Sequence, residues 1–177
     1  NSDENLMFCV LADFKEDKRP YNPQDNLNIA ACASVIDKLN EQYGERFMLF
    51  VRKRCYNKTQ NTYSGWERKR GAITEFIRFI KGGETSMRSF VGNRSTLQDV
   101  RYLIALDSDT NLSFSTANLL VSAAMHPLNR PVIGKHNIVT EGYGILVPRM
   151  ETDLASSKST DFTRLMAGAG GVSTYEQ

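Results

Sequence analysis

Apolar residues are arranged in two patterns that alternate along the chain. Continuous apolar runs, which indicate buried strands, lie at 7–12, 46–51 and 100–106. Apolar residues that return every three or four positions predict helices over 26–43, 72–81 and 115–125. Strands that alternate with helices of this length predict an α/β fold, a mostly parallel sheet flanked by helices.

Two further segments have weaker patterns. Residues 52–68 are basic, aromatic and rich in turn formers, which predicts a loop, and 138–147 is expected to be extended although Gly142 and Gly144 weaken it as a strand. A polar lead passes directly into the first strand, and a glycine-rich turn lies near the last residue. We therefore expect 1–177 to be a single, partial domain whose sheet is incomplete at both ends, with an edge that would let copies self-associate.

Composition and charge indicate which classes of protein and partner are compatible with this sequence. Hydrophobic residues make up 41% of the 177 residues and charged residues 24%, which is ordinary for a soluble globular domain. A net charge of +2 and a pI of about 8.5 argue against a nucleic-acid partner, which usually requires a domain pI above about 9. Cys9 and Cys32 lie in apolar segments and are expected to be buried, and none of the three cysteines has a C-x-x-C spacing typical of zinc ligands.

Two carboxylates follow the third apolar run. Asp107 and Asp109 flank Ser108 where the run ends, in an Asp-x-Asp motif. Hard oxygen ligands at this spacing suit Mg²⁺ or Mn²⁺ and leave coordination positions for a diphosphate. The alternative is structural: Asp107 ends a strand and Asp109 caps a turn.

A second motif lies before the helix predicted over 72–81. The segment 65–71 reads G-W-E-R-K-R-G, and its cations Lys69 and Arg70 would place positive charge beside a helix N-terminus, where phosphates bind. Asp13, at the end of the first apolar run, is a candidate for a contact to a uracil imide or a ribose hydroxyl. A solvated charged loop and a turn-forming aspartate are the structural alternatives.

Several segments occur together in a specific order. They are G-W-E-R-K-R-G at 65–71, L-D-S-D-T at 106–110, A-M-H-P-L-N-R-P at 124–131 and E-G-Y-G-I-L-V-P-R at 141–149. In this order they resemble the glycosyltransferase domain of the cyclic β-1,2-glucan synthases, glycosyltransferase family 84. The resemblance extends across nearly the whole chain.

The resemblance implies a Rossmann-like fold of the GT-A type that binds a nucleotide-sugar donor, UDP-glucose, with a divalent metal. Asp107 and Asp109 match the metal and diphosphate motif, Asp13 matches an acid near the nucleoside, and Lys69 and Arg70 match basic residues near the donor. The acceptor is a β-1,2-glucan. The expected function is therefore the donor-binding part of a hexosyltransferase.

The resemblance also sets expectations about the parent protein. It is a large membrane-embedded enzyme with this domain on the cytoplasmic face of the inner membrane, whereas the fragment itself is expected to be soluble. The catalytic base is expected beyond Gln177, so the isolated fragment is expected to be inactive, and Glu141 is a weaker candidate for an acceptor contact.

Two other classes stay open from the residues alone. The chain is alternatively a non-catalytic α/β domain that binds a nucleotide or a partner, with Asp107 and Asp109 acting only as caps. It is otherwise a Mg²⁺-dependent phosphotransferase or nucleotidyltransferase, because the Asp-x-Asp motif also serves phosphoryl chemistry.

Overall fold

The computed structural model describes residues 5–92, 94–148, 160 and 161, and the chain divides into two compact units. The first unit is Asn1–Ala105 and the second is Leu106–Gln177. The described part of the first unit contains strands β1 (Phe8–Asp13), β2 (Phe47–Arg52), β3 (Cys55–Asn57), β4 (Thr62–Ser64) and β5 (Met87–Val91), and helices α1 (Gln24–Tyr43) and α2 (Arg68–Ile80). The described part of the second unit contains helix α3 (Thr116–Met125) and strands β6 (Val132–Ile133) and β7 (Val139–Glu141).

Strand β2 forms the centre of the first unit. It pairs with β1 in parallel and with β5 in antiparallel orientation, so the sheet order is β1-β2-β5. Because neighbouring strands satisfy both of its edges, the apolar run of β2 can be buried from Met48 onward.

The two faces of β2 belong to two different cores. Side chains alternate across a strand, so Phe50 points to one face and packs with Phe76 of α2, at 5.0 Å between ring centroids. Leu49 points to the other face, where it clusters with Val51 and with Ile36 of α1. The first unit therefore has a helix on each side of its sheet.

The end of α1 is joined to the beginning of β2 by one polar side chain. The amide of Asn40 accepts hydrogen bonds from the backbone N–H of Arg46 and of Phe47, at 3.0 and 2.8 Å, and donates to the Phe47 carbonyl at 2.9 Å. Gly44 makes the turn between these elements with a φ of 89°, a conformation that glycine adopts without strain.

The α/β class and the three helices are confirmed, with bounds shifted by a few residues. The prediction of a mostly parallel sheet is wrong, because β5 adds an antiparallel pairing to the one parallel pairing of the described sheet. A GT-A arrangement and a single domain over 1–177 stay predictions.

Two predictions for individual segments are also wrong. Residues 100–106 form no strand in the structure, because an apolar run becomes a strand only where a neighbouring backbone accepts its hydrogen bonds. The segment 52–68, predicted as a loop, contains the antiparallel hairpin β3-β4. Of the cysteines expected to be buried, Cys32 is exposed on α1 and Cys9 is partly buried.

The described part of the second unit consists of short elements and exposed residues. Strands β6 and β7 pair in antiparallel orientation, and two short 3-10 helices, Pro127–Asn129 and Lys135–Asn137, flank β6. Among its described residues, 106–148 with 160 and 161, none is buried. The extended segment predicted over 138–147 is a strand only at Val139–Glu141.

Candidate functional site

The segment 65–71 lies around the guanidinium of Arg52, the last residue of β2. This side chain is fully buried and uses all five of its N–H donors. Nε donates to Asp13 Oδ1 at 2.7 Å and Nη2 donates to Asp13 Oδ2, while Nη1 also reaches Glu75 Oε1 at 3.4 Å. The remaining donors bind the carbonyls of Trp66 and Arg68, each at 2.8 Å. Arg52 thus fixes the backbone that begins α2.

The two glycines of the segment are required by close packing. A Cβ atom at Gly71 would lie 1.8 Å from the Trp66 carbonyl oxygen, and one at Gly65 would lie 2.5 Å from Asp13 Oδ2. Between them Glu67 and Arg68 adopt positive φ angles of 48° and 45°. The glycines of the G-W-E-R-K-R-G motif therefore permit a tight backbone turn over a buried arginine.

Asp13 lies at the carboxyl end of β1, as predicted, and 29% of its side chain is exposed. Both of its oxygens accept hydrogen bonds from Arg52. Each carboxylate oxygen has a second lone pair. A contact to a nucleoside would use those lone pairs, while the position of the carboxylate is set by Arg52.

Lys69 and Arg70 lie in the first turn of α2, and both are exposed. The Nε of Arg70 donates to Glu67 Oε2 at 2.5 Å, and this ion pair is largely exposed to solvent. Because an exposed pair of this kind is weak, Arg70 can exchange Glu67 for an anionic ligand at small cost. The predicted cations are therefore placed at a helix N-terminus, as expected for phosphate binding.

Glu75 of α2 completes the charged cluster beneath the segment. Burial raises the pKa of Glu75, but hydrogen bonds from the Ser86 hydroxyl, the Thr85 hydroxyl and the Ser86 backbone N–H, together with the charge of Arg52, lower it further than burial raises it. Burial also lowers the pKa of Arg52, yet its hydrogen bonds to Asp13 and the charge of both carboxylates raise it overall. Both shifts favour the charged forms of Glu75 and Arg52 at neutral pH.

Asp107 and Asp109 lie in the second unit, in one exposed turn. The backbone N–H of Thr110 donates to the Asp107 carbonyl at 3.1 Å and closes the turn. Within the described residues, no three His, Cys, Asp or Glu side chains are grouped closely enough to hold a metal by themselves. The donor set therefore fits Mg²⁺ or Mn²⁺ only if substrate phosphate oxygens complete the coordination, which is the usual way that Mg²⁺ binds with one or two carboxylates.

A groove of about 610 Å³ lies beside the segment 65–71, between the hairpin β3-β4 and the beginning of α2. The aromatic side chains on its walls are Tyr56 and Trp66, and its polar side chains include Asn57, Lys58, Gln60 and Arg68. Sequence reasoning did not identify this groove. The clustering of aromatic, amide and basic residues within 52–68 was its one signal.

The other two segments of the resemblance have local structural roles. His126 Nδ1 accepts a hydrogen bond from the Leu128 N–H at 3.3 Å, and Asn129 donates to the Ala123 carbonyl at 2.8 Å, so that both side chains shape the end of α3. Gly142 has a φ of 70°, and a Cβ atom there would lie 2.0 Å from the Arg130 carbonyl oxygen. Glu141 is exposed at the end of β7.

Sequence reasoning missed the charged residues that organise the first unit. Besides Arg52 and Glu75, Arg54 forms a buried bidentate pair with Asp25, and its guanidinium lies 4.9 Å from the centre of the Phe14 ring. The hydrogen bonds from Arg54 lower the pKa of Asp25. An arginine that directly follows a buried apolar run is the available signal, because a buried charge requires partners.

Comparison with known proteins supports the resemblance. No protein-family model matches the chain. The cyclic beta-(1,2)-glucan synthase NdvB of Rhizobium meliloti (strain 1021) is 32% identical over 177 residues, an alignment that covers 96% of this chain and 6% of NdvB. This chain thus spans a small part of the length of that relative.

The structure and the similarity to NdvB test different predictions: the structure tests for membrane helices, and the similarity tests the resemblance. Within the part of the chain that the structure describes, no helix is both long and apolar enough to cross a membrane. Neither the sequence similarity nor the structure tests the roles of the predicted site residues. The bound metal also stays a prediction. The resemblance seen in the sequence is thus borne out: over nearly its whole length, this chain is similar to one segment of a cyclic β-(1,2)-glucan synthase.

Proposed function

We propose that the chain is the donor-binding part of a metal-dependent glucosyltransferase, which uses UDP-glucose to build β-1,2-glucan within a larger, membrane-bound cyclic glucan synthase. The similarity to NdvB over 96% of the chain is the observation that carries this proposal. The parent enzyme takes a sugar donor and a glucan acceptor, and this part of it faces the cytoplasm.

Asp107 and Asp109 bind the metal together with the donor diphosphate. Their exposed turn supports this role, because a metal and a diphosphate can reach both residues from solvent. A bound Mg²⁺ or Mn²⁺ supplies charge neutralisation for the departing nucleoside diphosphate.

Lys69 and Arg70 add positive charge to the donor site, and Asp13 contacts the nucleoside. The first turn of α2 supports the role of the two cations, because the positive end of the helix dipole favours anions there. An inverting transfer also needs a base that removes the proton of the acceptor hydroxyl, and none of these five residues is assigned that role.

Calorimetric titration of UDP into the chain, with and without Mn²⁺, tests the proposal. We expect metal-dependent binding that Asp109→Ala abolishes. Asp99→Ala is the matched control, because Asp99 is also exposed but lies outside the motif. The same titrations on a full-length cyclic glucan synthase with the corresponding substitution show whether the site operates in the intact enzyme.

The other outcomes separate the alternatives. Binding of UDP that needs no metal and survives Asp109→Ala would favour a non-catalytic nucleotide-binding domain. Binding of a nucleoside triphosphate tighter than that of UDP-glucose would favour phosphoryl or nucleotidyl transfer. Metal-dependent binding that is absent from both the chain and the full-length enzyme would contradict the assignment of Asp107 and Asp109.

A further inference from the structure

The groove between the hairpin β3-β4 and the beginning of α2 has a volume of about 610 Å³, within the range of about 300–1,000 Å³ that is usual for ligand sites. All the residues that line it belong to 55–68 in the first unit. The groove is separate in sequence from the proposed metal ligands.

The aromatic walls of the groove are exposed, and the ring of Tyr56 and the backbone of Trp66 are held in place. Tyr56 is 49% exposed, yet its ring lies 5.1 Å from that of Tyr63 and its hydroxyl donates to Asn61 Oδ1 at 2.7 Å. Trp66 is 46% exposed, and its carbonyl is bound by the buried Arg52. Exposed aromatic faces that are already ordered lose little conformational entropy when a flat ligand covers them.

The polar residues of the groove suit a neutral ligand with many hydroxyl groups. Gln60 and Ser64 each offer both a hydrogen-bond donor and an acceptor, which matches a hydroxyl that does the same. Asn57 Oδ1 already accepts from the backbone N–H groups of Thr59 and Gln60, and its amide donates to Gln60 Oε1, so Asn57 adds one further N–H donor. The cations Lys58 and Arg68 are partly offset by Glu67, which also lines the groove. The C–H face of a pyranose ring, with hydroxyls around its rim, is complementary to an aromatic wall bordered by amides.

From these features we infer that the groove binds glucose units of a glucan chain. This inference rests on the proposed function, in which a β-1,2-glucan is the acceptor, and it locates an acceptor-chain subsite on the hairpin. The ligand is the neutral sugar chain, and a nucleotide is the competing occupant that the test must exclude.

Cys55 provides a probe inside the groove, and Cys32 provides an internal control. Both thiols are exposed, but Cys32 lies on α1 and does not line the groove. The rate of alkylation of each cysteine is measured by mass spectrometry with and without linear β-1,2-gluco-oligosaccharides. When the oligosaccharide concentration is about ten times the dissociation constant, about nine-tenths of the sites are occupied. We therefore expect alkylation of Cys55 to slow about tenfold, while alkylation of Cys32 is unchanged.

Substitution of the aromatic wall sharpens the test. Tyr56→Ala should abolish the protection of Cys55, whereas Tyr21→Ala, which removes an equally exposed tyrosine outside the groove, should leave it intact. Circular dichroism of both variants verifies folding. Fluorescence of Trp66, the sole tryptophan of the chain, provides a second readout of binding that does not depend on the cysteine.

The outcomes distinguish this inference from the proposed function. Equal alkylation of Cys55 with and without the oligosaccharide, together with unchanged fluorescence, would overturn the glucan site even if UDP binds through Asp109. Protection of Cys55 by UDP with Mn²⁺, but not by the oligosaccharide, would assign the groove to the nucleotide instead. Protection by the oligosaccharide in a chain that does not bind UDP would support the groove and contradict the donor site.

Discussion

The two units differ in how their side chains are held. In the first, Phe50, Leu49 and Phe76 are almost completely buried, and charged side chains such as Arg52 are buried with their partners. In the described part of the second, no residue is buried, and Phe114 is 98% exposed. Apolar burial is the main favourable contribution to folding free energy, so stability should be concentrated in the first unit.

The same difference separates the candidate site residues. Asp13 is the ion-pair partner of the buried Arg52, so a change at Asp13 alters both stability and binding. Asp107 and Asp109 lie in an exposed turn, where a change can alter binding alone. Substitutions in the two units should therefore differ in their effect on the free energy of unfolding, and the following predictions test this difference.

The largest effect is expected from the core of the first unit. Phe50→Ala should lower the free energy of unfolding by about 3–5 kcal/mol, because it removes a ring packed against Phe76 and Phe79 and leaves a cavity. Phe114→Ala should change it by less than about 0.5 kcal/mol. Urea denaturation followed by circular dichroism measures both, and similar losses in the two variants would refute the contrast between the units.

Substitution of a buried arginine and of an exposed arginine near the G-W-E-R-K-R-G motif should also lower the free energy of unfolding by different amounts. Arg52→Met should lower the free energy of unfolding by about 3 kcal/mol, because it removes the donors to Asp13, to Glu75 Oε1 and to two backbone carbonyls. Arg70→Met removes only an exposed ion pair and should cost less than about 1 kcal/mol. Trp66 fluorescence during urea denaturation reports both values, and a loss below about 1 kcal/mol for Arg52→Met would contradict its central role.

Glycine substitutions test the tight turn at the start of α2. Gly71→Ala should cost about 1–3 kcal/mol, because the added methyl group would collide with the Trp66 carbonyl. Gly83→Ala is the matched control, since its nearest neighbour would be the Arg78 carbonyl oxygen at 3.5 Å, an ordinary contact. Thermal denaturation compares the two variants. Equal midpoints would show that the turn relaxes freely.

The charged cluster predicts a pH dependence. The pKa of Glu75 in the folded protein lies below its ordinary value of 4.5, so the folded state binds its proton less readily than the unfolded state. The stabilisation is present above pH 4.5 and is lost as the pH falls through the folded pKa. We therefore expect the free energy of unfolding of the wild type to exceed that of Glu75→Gln by about 1 kcal/mol at pH 7. Below pH 4 the difference should be smaller, and urea denaturation at each pH measures it. A difference independent of pH would exclude this coupling.

The smallest effect is expected at the proposed metal site. Asp109→Asn should change the free energy of unfolding by less than about 0.5 kcal/mol, because the side chain is exposed and the turn is closed by a backbone hydrogen bond. Urea denaturation measures this value in the sample used for titration of UDP. A loss of several kcal/mol would show that Asp109 has a structural role.

The sequence pattern determined the elements that depend on local periodicity. The three helices follow from apolar spacing, and β1 and β2 follow from continuous apolar runs bounded by polar residues. The order of the motifs also indicated the similarity to a cyclic β-(1,2)-glucan synthase, since G-W-E-R-K-R-G followed by L-D-S-D-T is far more specific than either part alone. Asp107 and Asp109 were proposed as a pair from the same local pattern, because positions two residues apart in sequence are necessarily close in space.

Only the tertiary structure decided which segments pair and which charges meet. The apolar run at 100–106 resembles a strand as closely as β2 does, but β5, a less apolar segment, pairs with the edge of β2 that β1 leaves open. Arg52 and Asp13 are 39 residues apart, and no local pattern relates them. Strand pairing, buried ion pairs and the hairpin groove all depend on contacts between distant segments, and such contacts are fixed by packing and desolvation of the folded chain rather than by local spacing.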